Sequence, residues 1–324
     1  MDLNKALSII KNTNYTNFDE TARNIYRFQS DSNAPYQLFQ RLAGLDMKNP
    51  GSFPYLPVSF FKNHRITCFK EEPEKKFLSS STTGKGQSIH HVKSLKIYEA
   101  SYRESFRQFY GDPGDLCFLA LLPGYMEREG SSLIYMVNDL ITQSRDKDSG
   151  FFLNNHEALY HLLLKKAEQG KKSVLLGVSH ALLDFCEKYT LPPNELVIME
   201  TGGMKGRRKE IIREELHSML SSRLGVEKIH SEYGMTELMS QAYSQGNGRF
   251  FCPPWMKVVI KEEDNPFSAD LLEKRGRICI IDLANVFSCS FIETEDLGIA
   301  YADGSFEVLG RLDFSETRGC NVLV

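Results

Sequence analysis

Apolar positions recur at helical spacing over the first 44 residues. Leu3, Ala6, Leu7 and Ile10 share one face, as do Tyr36, Phe39 and Leu42, and Gly44 supplies a stop. Pro50, Pro54 and Pro57 then impose extended or turning backbone. Further on, short apolar runs at 116–122, 173–178, 195–199 and 226–230 read as strands. Between them, helical periodicity covers 132–141, 156–168, 181–189 and 210–220. Strands alternating with helices predict a mainly parallel sheet covered on both faces. After Pro254 the pattern becomes β-rich, with strands at 257–261, 277–282 and 299–309 and a hairpin turn at Asp303-Gly304. The expected fold is α/β, with a smaller β-rich portion. Its parts are a helical segment over 1–75 packed on the main body, a body over 76–309 that turns β-rich after about 254, and a tail over 310–324.

Composition adds exclusions. A formal net charge of -3 gives no basic excess for a nucleic-acid surface. No apolar run approaches the ~20 residues of a membrane span, and the N-terminus has no signal-peptide pattern, so a cytoplasmic protein is expected. Seven cysteines lack C-x-x-C or zinc-ligand spacing, and Cys117 and Cys279 sit in apolar runs expected to be buried and reduced. Cys320 differs: it lies in a polar tail, two residues after Arg318, and a nearby cation favours the thiolate. His90, His91 and His180 lack partners at ligand spacing and read as strand or helix residues. Trp255, after Pro253-Pro254, is expected to pack between the α/β and β-rich parts.

Four polar segments carry candidate chemistry. Ser79-Ser80-Ser81-Thr82-Thr83-Gly84-Lys85-Gly86 supplies hydroxyls, a cation and pliant backbone for phosphate oxygens, yet it is neither a Walker A loop nor a dinucleotide fingerprint. An exposed polar turn between strands is its plain alternative. Glu200-Thr201-Gly202-Gly203-Met204-Lys205-Gly206 follows a strand, where paired glycines allow close approach of a flat ligand. Ser231-Glu232-Tyr233-Gly234-Met235-Thr236-Glu237 offers a ring face, a hydroxyl and a hard carboxylate for Mg²⁺. Thr294-Glu295-Asp296 followed by Gly310-Arg311-Leu312-Asp313 offers a carboxylate for ribose hydroxyls. A competing site is Gly177-Val178-Ser179-His180-Ala181, placed like the nucleophile elbow of an α/β-hydrolase or acyltransferase but with Ala181 at the last glycine; Ser179 as helix N-cap is the simpler reading.

In this order the four segments resemble the adenylate-forming superfamily of acyl- and aryl-CoA ligases, luciferases and peptide-synthetase adenylation domains. Glu-Thr-Gly-Gly-Met-Lys-Gly-Arg at 200–207 and the tail Arg318-Gly319-Cys320 are more similar to its acyl-protein synthetase (LuxE-type) branch. The resemblance implies that Ser80, Ser81, Thr82, Thr83, Gly84 and Lys85 cover the leaving pyrophosphate of ATP and that Gly202 and Gly203 flank the adenine. It implies that Tyr233 and Gly234 receive the base, Asp296 and Arg311 the ribose, Thr236 the α-phosphate, and Glu237 a magnesium ion. It further implies a fatty acid substrate, transfer of the acyl group to Cys320, and an acyl reductase or acyltransferase partner. Departures exist: Ser81 and Glu295 replace glycines of the pattern, the later Pro-Lys-Gly is missing, and the mobile C-terminal domain is expected to be absent. Transfer to CoA or a carrier protein, and a non-catalytic nucleotide-binding subunit, are the remaining alternatives.

Overall fold

The computed structural model describes residues 1–44, 53–80, 86–123, 130–202 and 212–312. Three helices open the chain: α1 (Leu3–Asn12), α2 (Phe18–Ser32) and α3 (Ala34–Leu42). Asp2 caps α1 by accepting from the Lys5 amide, and Asn33 caps α3 by accepting from Tyr36. After β1 (Leu56–Pro57) and α4 (Phe60–Asn63), a two-stranded antiparallel sheet forms from β2 (Lys75–Leu78) and β3 (Ile89–Val92). Ser79 and Ser80, which open the Ser/Thr-rich run, follow β2 directly.

The α/β half contains α5 (Leu95–Tyr110), β4 (Cys117–Leu121), α6 (Ser132–Gln143), β5 (Gly150–Phe151), α7 (His156–Glu168), β6 (Ser173–Gly177), α8 (Ser179–Lys188), β7 (Val197–Thr201), α9 (Arg213–Leu224) and β8 (His230–Tyr233). Next come β9 (Ala242–Ser244), β10 (Phe250–Phe251), β11 (Met256–Lys261), β12 (Gly276–Asp282), β13 (Phe291–Ala300) and β14 (Phe306–Arg311). All strands except β2 and β3 join one sheet in the order β11-β12-β13-β14-β10-β9-β8-β7-β6-β4-β5, with β1 alongside β13. Strands β5, β4, β6, β7 and β8 run parallel; pairing turns antiparallel at β8–β9. The β-rich portion therefore continues the α/β sheet and does not form a layer of its own.

Alternation along the strands builds two cores. Phe118, Ala120, Val174, Leu176 and Met199 face one side, under α1, α2, α5 and α6. Cys117, Leu119, Leu121, Leu175 and Ile198 face the other, under α7, α8 and α9. Cys117 and Cys279 are buried free thiols, as expected. Trp255 is buried in the first core, and its indole N–H lies 3.0 Å from the hydroxyls of both Ser101 and Ser240.

One expectation is corrected, and one helix had no expectation to match. The strand expected at 226–230 is displaced to His230–Tyr233, because pairing with Met199–Thr201 of β7 draws the polar His-Ser-Glu-Tyr run into the sheet. Helix α5 has no counterpart in the aliphatic periodicity, since its buried face is built from Tyr98, Ser101, Tyr102, Ser105 and Phe106 as well as Ile97. No helix among the described residues is long and apolar enough to cross a membrane.

Candidate active site

The sheet delivers Tyr233 at the C-terminal end of β8, on the seam between parallel and antiparallel pairing, where open α/β sheets leave a crevice. Its hydroxyl donates to Asp296 Oδ2 at 2.8 Å. Asp296 stands on β13, directly opposite Arg311 of β14, whose Nε is 3.5 Å from Asp296 Oδ1. The Thr294 hydroxyl donates to the Ile278 carbonyl and accepts from the Asp296 amide, which fixes that carboxylate from behind. The Tyr233 ring meets Phe250 and Phe306 edge-on, with centroids 5.9 and 5.6 Å away. Burial raises the Asp296 carboxyl above its usual range, against the opposing pull of Tyr233 and Arg311. Residues 63 apart in sequence thus form one polar group.

The turn after β8 carries Thr236 and Glu237, and it is held by its backbone. His90 of β3 donates from Nδ1 to the Thr236 carbonyl, 2.8 Å away. Asn285 donates from Nδ2 to the Glu237 carbonyl at 2.8 Å, and its Oδ1 abuts His90 Nε2 at 3.1 Å. Burial pushes His90 down to about 4, so the ring is neutral near pH 7 and its one proton faces a carbonyl that can only accept. Asp282 accepts from the amides of Met239 and Ser240 and from the Ser240 hydroxyl, fixing the turn's far side. The side chains of Thr236 and Glu237 are left for other work.

Glu237 is 6% exposed, and burial raises its carboxyl pKa. The Ser88 hydroxyl and the residue's own N–H favour the charged form; Arg311 and Lys62 act from a distance. No cation lies within ion-pair distance among the described residues, and no cluster of three His, Cys, Asp or Glu exists there. A buried carboxylate with no ion-pair partner among the described residues is a group that would hold a magnesium ion. Ser88 closes the hairpin beneath it. Its amide donates to Ser79 Oγ at 2.9 Å, and its carbonyl accepts from the Ser79 amide at 3.1 Å. Ser80 lies beside that base, whereas Ser81, Thr82, Thr83, Gly84 and Lys85 lie outside the described residues, as do Gly203 and Cys320. Gly202 closes β7 in the left-handed region (φ +56°) with open space where a side chain would stand.

Sequence reasoning included Glu200 and Glu232 in candidate segments without giving them a role, and it missed Ser88, His90 and Asn285 as parts of this region. Glu200 could have been found as a carboxylate near the end of an otherwise apolar strand, Val-Ile-Met-Glu-Thr. The Ser179 readings are both corrected. Val178 is the N-cap of α8 and Ser179 its first residue. The Ser179 hydroxyl is buried, 2.6 Å from Glu200 Oε1 and 2.8 Å from the Gly202 carbonyl. His217 approaches Glu200, at 3.9 Å, and no bond links it to Ser179. The Ser179 hydroxyl thus donates to a carboxylate and a carbonyl, and among the described residues no histidine is shown hydrogen-bonded to it as in a Ser–His pair.

No family profile and no curated protein match the chain. Solved structures do. ATP-bound MatB from Rhodopseudomonas palustris superposes with a TM-score of 0.54 at 16% identity, over 75% of this chain and 49% of that one. An open conformation of 2-hydroxyisobutyryl-CoA ligase in complex with 2-HIB-AMP and CoA gives a TM-score of 0.66 at 12% identity, over 91% of this chain and 69% of that one. The same ligase in its postadenylation state gives 0.66 at 13% identity, over 91% and 67%. The chain thus spans about half the length of MatB and about two thirds of the hydroxyisobutyryl ligase. Its fold is that of the adenylate-forming ligases.

Proposed function

We propose that this chain activates a carboxylic acid with ATP, forming an acyl-adenylate and pyrophosphate. The observation that carries the reading is the Tyr233–Asp296–Arg311 group beside the buried carboxylate of Glu237, which has no ion-pair partner among the described residues. Tyr233 offers its ring to the adenine, Asp296 accepts from ribose hydroxyls with Arg311 alongside, and Thr236 donates to the α-phosphate. Glu237 would hold a magnesium ion, which when bound neutralises phosphate charge. The substrate carboxylate oxygen bonds to the α-phosphorus in line as the bond to the β-phosphate oxygen breaks, and the electron pair leaves with pyrophosphate. The protein contributes positioning and charge stabilisation. His90 and Asn285 supply the positioning through backbone alone.

The finer reading follows from motif order and the tail. The acid is a fatty acid, and the Cys320 thiolate attacks the mixed anhydride, giving a thioester and AMP for an acyl reductase or acyltransferase partner. A second reading makes CoA the acceptor; the CoA in the hydroxyisobutyryl ligase complex favours it. The test is ATP–pyrophosphate exchange with acids of graded length, together with hydroxylamine-labile label on the protein. Acid-dependent exchange supports activation, and label lost in Cys320→Ser assigns the acceptor. Exchange without label moves the acceptor to CoA or a carrier; no exchange with any acid overturns the proposal.

A further inference from the structure

Three in-register residues cross the middle of the sheet on one face: Thr201 of β7, Glu232 of β8 and Tyr243 of β9. Met199 fixes which face this is, because it lies two residues before Thr201 and belongs to the core beneath α5. That side should be apolar, yet all three side chains are polar and nearly closed off, at 2%, 9% and 1% exposure. Among the described residues, Thr201 Oγ1 and Tyr243 OH have no hydrogen-bond partner, and neither does Oε1 of the neighbouring Gln241. Leaving such an atom buried and unpaired costs ~1–3 kcal/mol, so several together are not tolerated as mere packing.

The row meets the candidate site at Gly234. A Cβ there would fall 2.5 Å from Glu232 Oε1 and 3.3 Å from Gln241 Cγ, so both side chains fold beneath this glycine. Gly234 lies between Tyr233 and Thr236, the residues proposed to hold the base and the α-phosphate. Helix α5 roofs the row: the Tyr110 ring packs edge-on against Tyr243 at 5.4 Å, and the Ser105 hydroxyl donates to the Gln241 carbonyl. Glu232, in the middle of the row, is its most exposed member.

We infer that Thr201, Glu232, Gln241 and Tyr243 form a subsite for a hydroxyl group on the acyl chain, so that the preferred acid is hydroxylated. This inference rests on the acid-activating function proposed above. A hydroxyl offers one donor and two acceptors. Gln241 Oε1 takes its proton, while the Thr201 and Tyr243 hydroxyls donate to its oxygen. Glu232, enclosed beside these groups, lends a further oxygen. A plain alkyl chain leaves Gln241 Oε1 and the Thr201 and Tyr243 hydroxyls unpaired, the circumstance in which sites discriminate most strongly.

The experiment is ATP–pyrophosphate exchange with pairs of acids of equal length, one unsubstituted and one hydroxylated at successive carbons. The reading is the ratio of kcat/KM within each pair, from which any inactive fraction of enzyme cancels. The wild type is expected to favour one hydroxylated positional isomer by at least ~10-fold, the ratio of a single lost hydrogen bond. Thr201→Val combined with Tyr243→Phe, nearly isosteric and lacking only the donors, is expected to bring that ratio to within about threefold. Unsubstituted acids used as well as every hydroxylated one would overturn the inference, the row then holding a trapped water, while leaving acid activation standing. A preference that survives in the double variant would also overturn it. Exchange with no acid at all would remove both proposals together.

Discussion

At the scale of single residues, the chemistry depends on side chains whose charge is set by burial. Asp296 both accepts from Tyr233 and is proposed to hold the ribose, and these roles separate by substitution. Asp296→Asn keeps an oxygen for the Tyr233 hydroxyl but gives up the charge. The expected outcome is near-normal stability with ATP affinity weakened ~10-fold or more, since bonds to charged groups contribute ~1.5–3 kcal/mol. Asp296→Ala also leaves the tyrosine hydroxyl without its partner and adds ~1–3 kcal/mol of destabilisation. Urea unfolding and nucleotide titration distinguish them; equal ATP affinity in wild type and both variants would remove Asp296 from the site. Glu232 gives a pH signature. Burial first, and Glu200 second, push its carboxyl up to about 8. An unfolded glutamate releases its proton near ~4.3, so from there to about 8 the folded state binds the extra proton and stability falls as pH rises. Relative to Glu232→Gln, the wild type should lose stability on the order of a few kcal/mol between pH 5 and pH 8. Parallel urea-midpoint curves for the two proteins would contradict it.

At the scale of elements, legibility followed local chemistry. Helix α7 matches its expected span because Asn155 caps it and Lys165 and Lys166 favour its C-terminal end. The hairpin at 301–305 matches because Asp303 accepts from Ser305 and Gly304 takes a positive φ of 83°. Strand β8 was misplaced for the opposite reason: the apolar Val226 and Ile229 pack into the second core ahead of the strand, which is itself polar and defined only by its neighbours. The motif residues were legible singly; the bonds of His90, Ser88 and Asn285 to them are not, since each crosses from a distant element. The end of α9 makes a sharp test. Gly225 is left-handed (φ +66°), and a Cβ there would fall 2.2 Å from the Pro192 carbonyl oxygen. Gly225→Ala is expected to cost at least ~1–2 kcal/mol from backbone conformation alone. An unchanged thermal midpoint would show that this connection yields freely. On β3, His90→Ala leaves the Thr236 carbonyl without its donor. The expected result is a lower exchange rate with a raised magnesium requirement; thermal stabilisation by ATP should respond less to added magnesium.

At the scale of the whole molecule, the opening helices and the site are joined by one segment. Gln29 of α2, fully buried, donates from Nε2 to the carbonyls of Asn285 and Val286 and accepts from the Ser290 amide. Asn33 adds a bond to the Ser288 carbonyl, and the Ser288 hydroxyl donates to the Ile66 carbonyl. The turn between β12 and β13 is thus clamped from the N-terminal helices, and from it Asn285 reaches the Glu237 carbonyl and the His90 ring. Only one side chain stands between α2 and the residue proposed to hold magnesium. Gln29→Ala would remove the partners of three buried backbone groups more than 250 residues away in sequence. At ~1–3 kcal/mol for each unsatisfied group, relaxation and entering water should limit the net loss to a few kcal/mol. A merely structural role predicts a lower thermal midpoint with full exchange activity per folded molecule. The clamp predicts more: well below the midpoint, exchange should fall several-fold, with the apparent magnesium requirement raised as in His90→Ala. Because both substitutions act on one carbonyl-holding network, the double variant should lose less than the product of the single losses. Multiplicative losses would mean that the helices and the site are independent, and that the clamp carries stability alone.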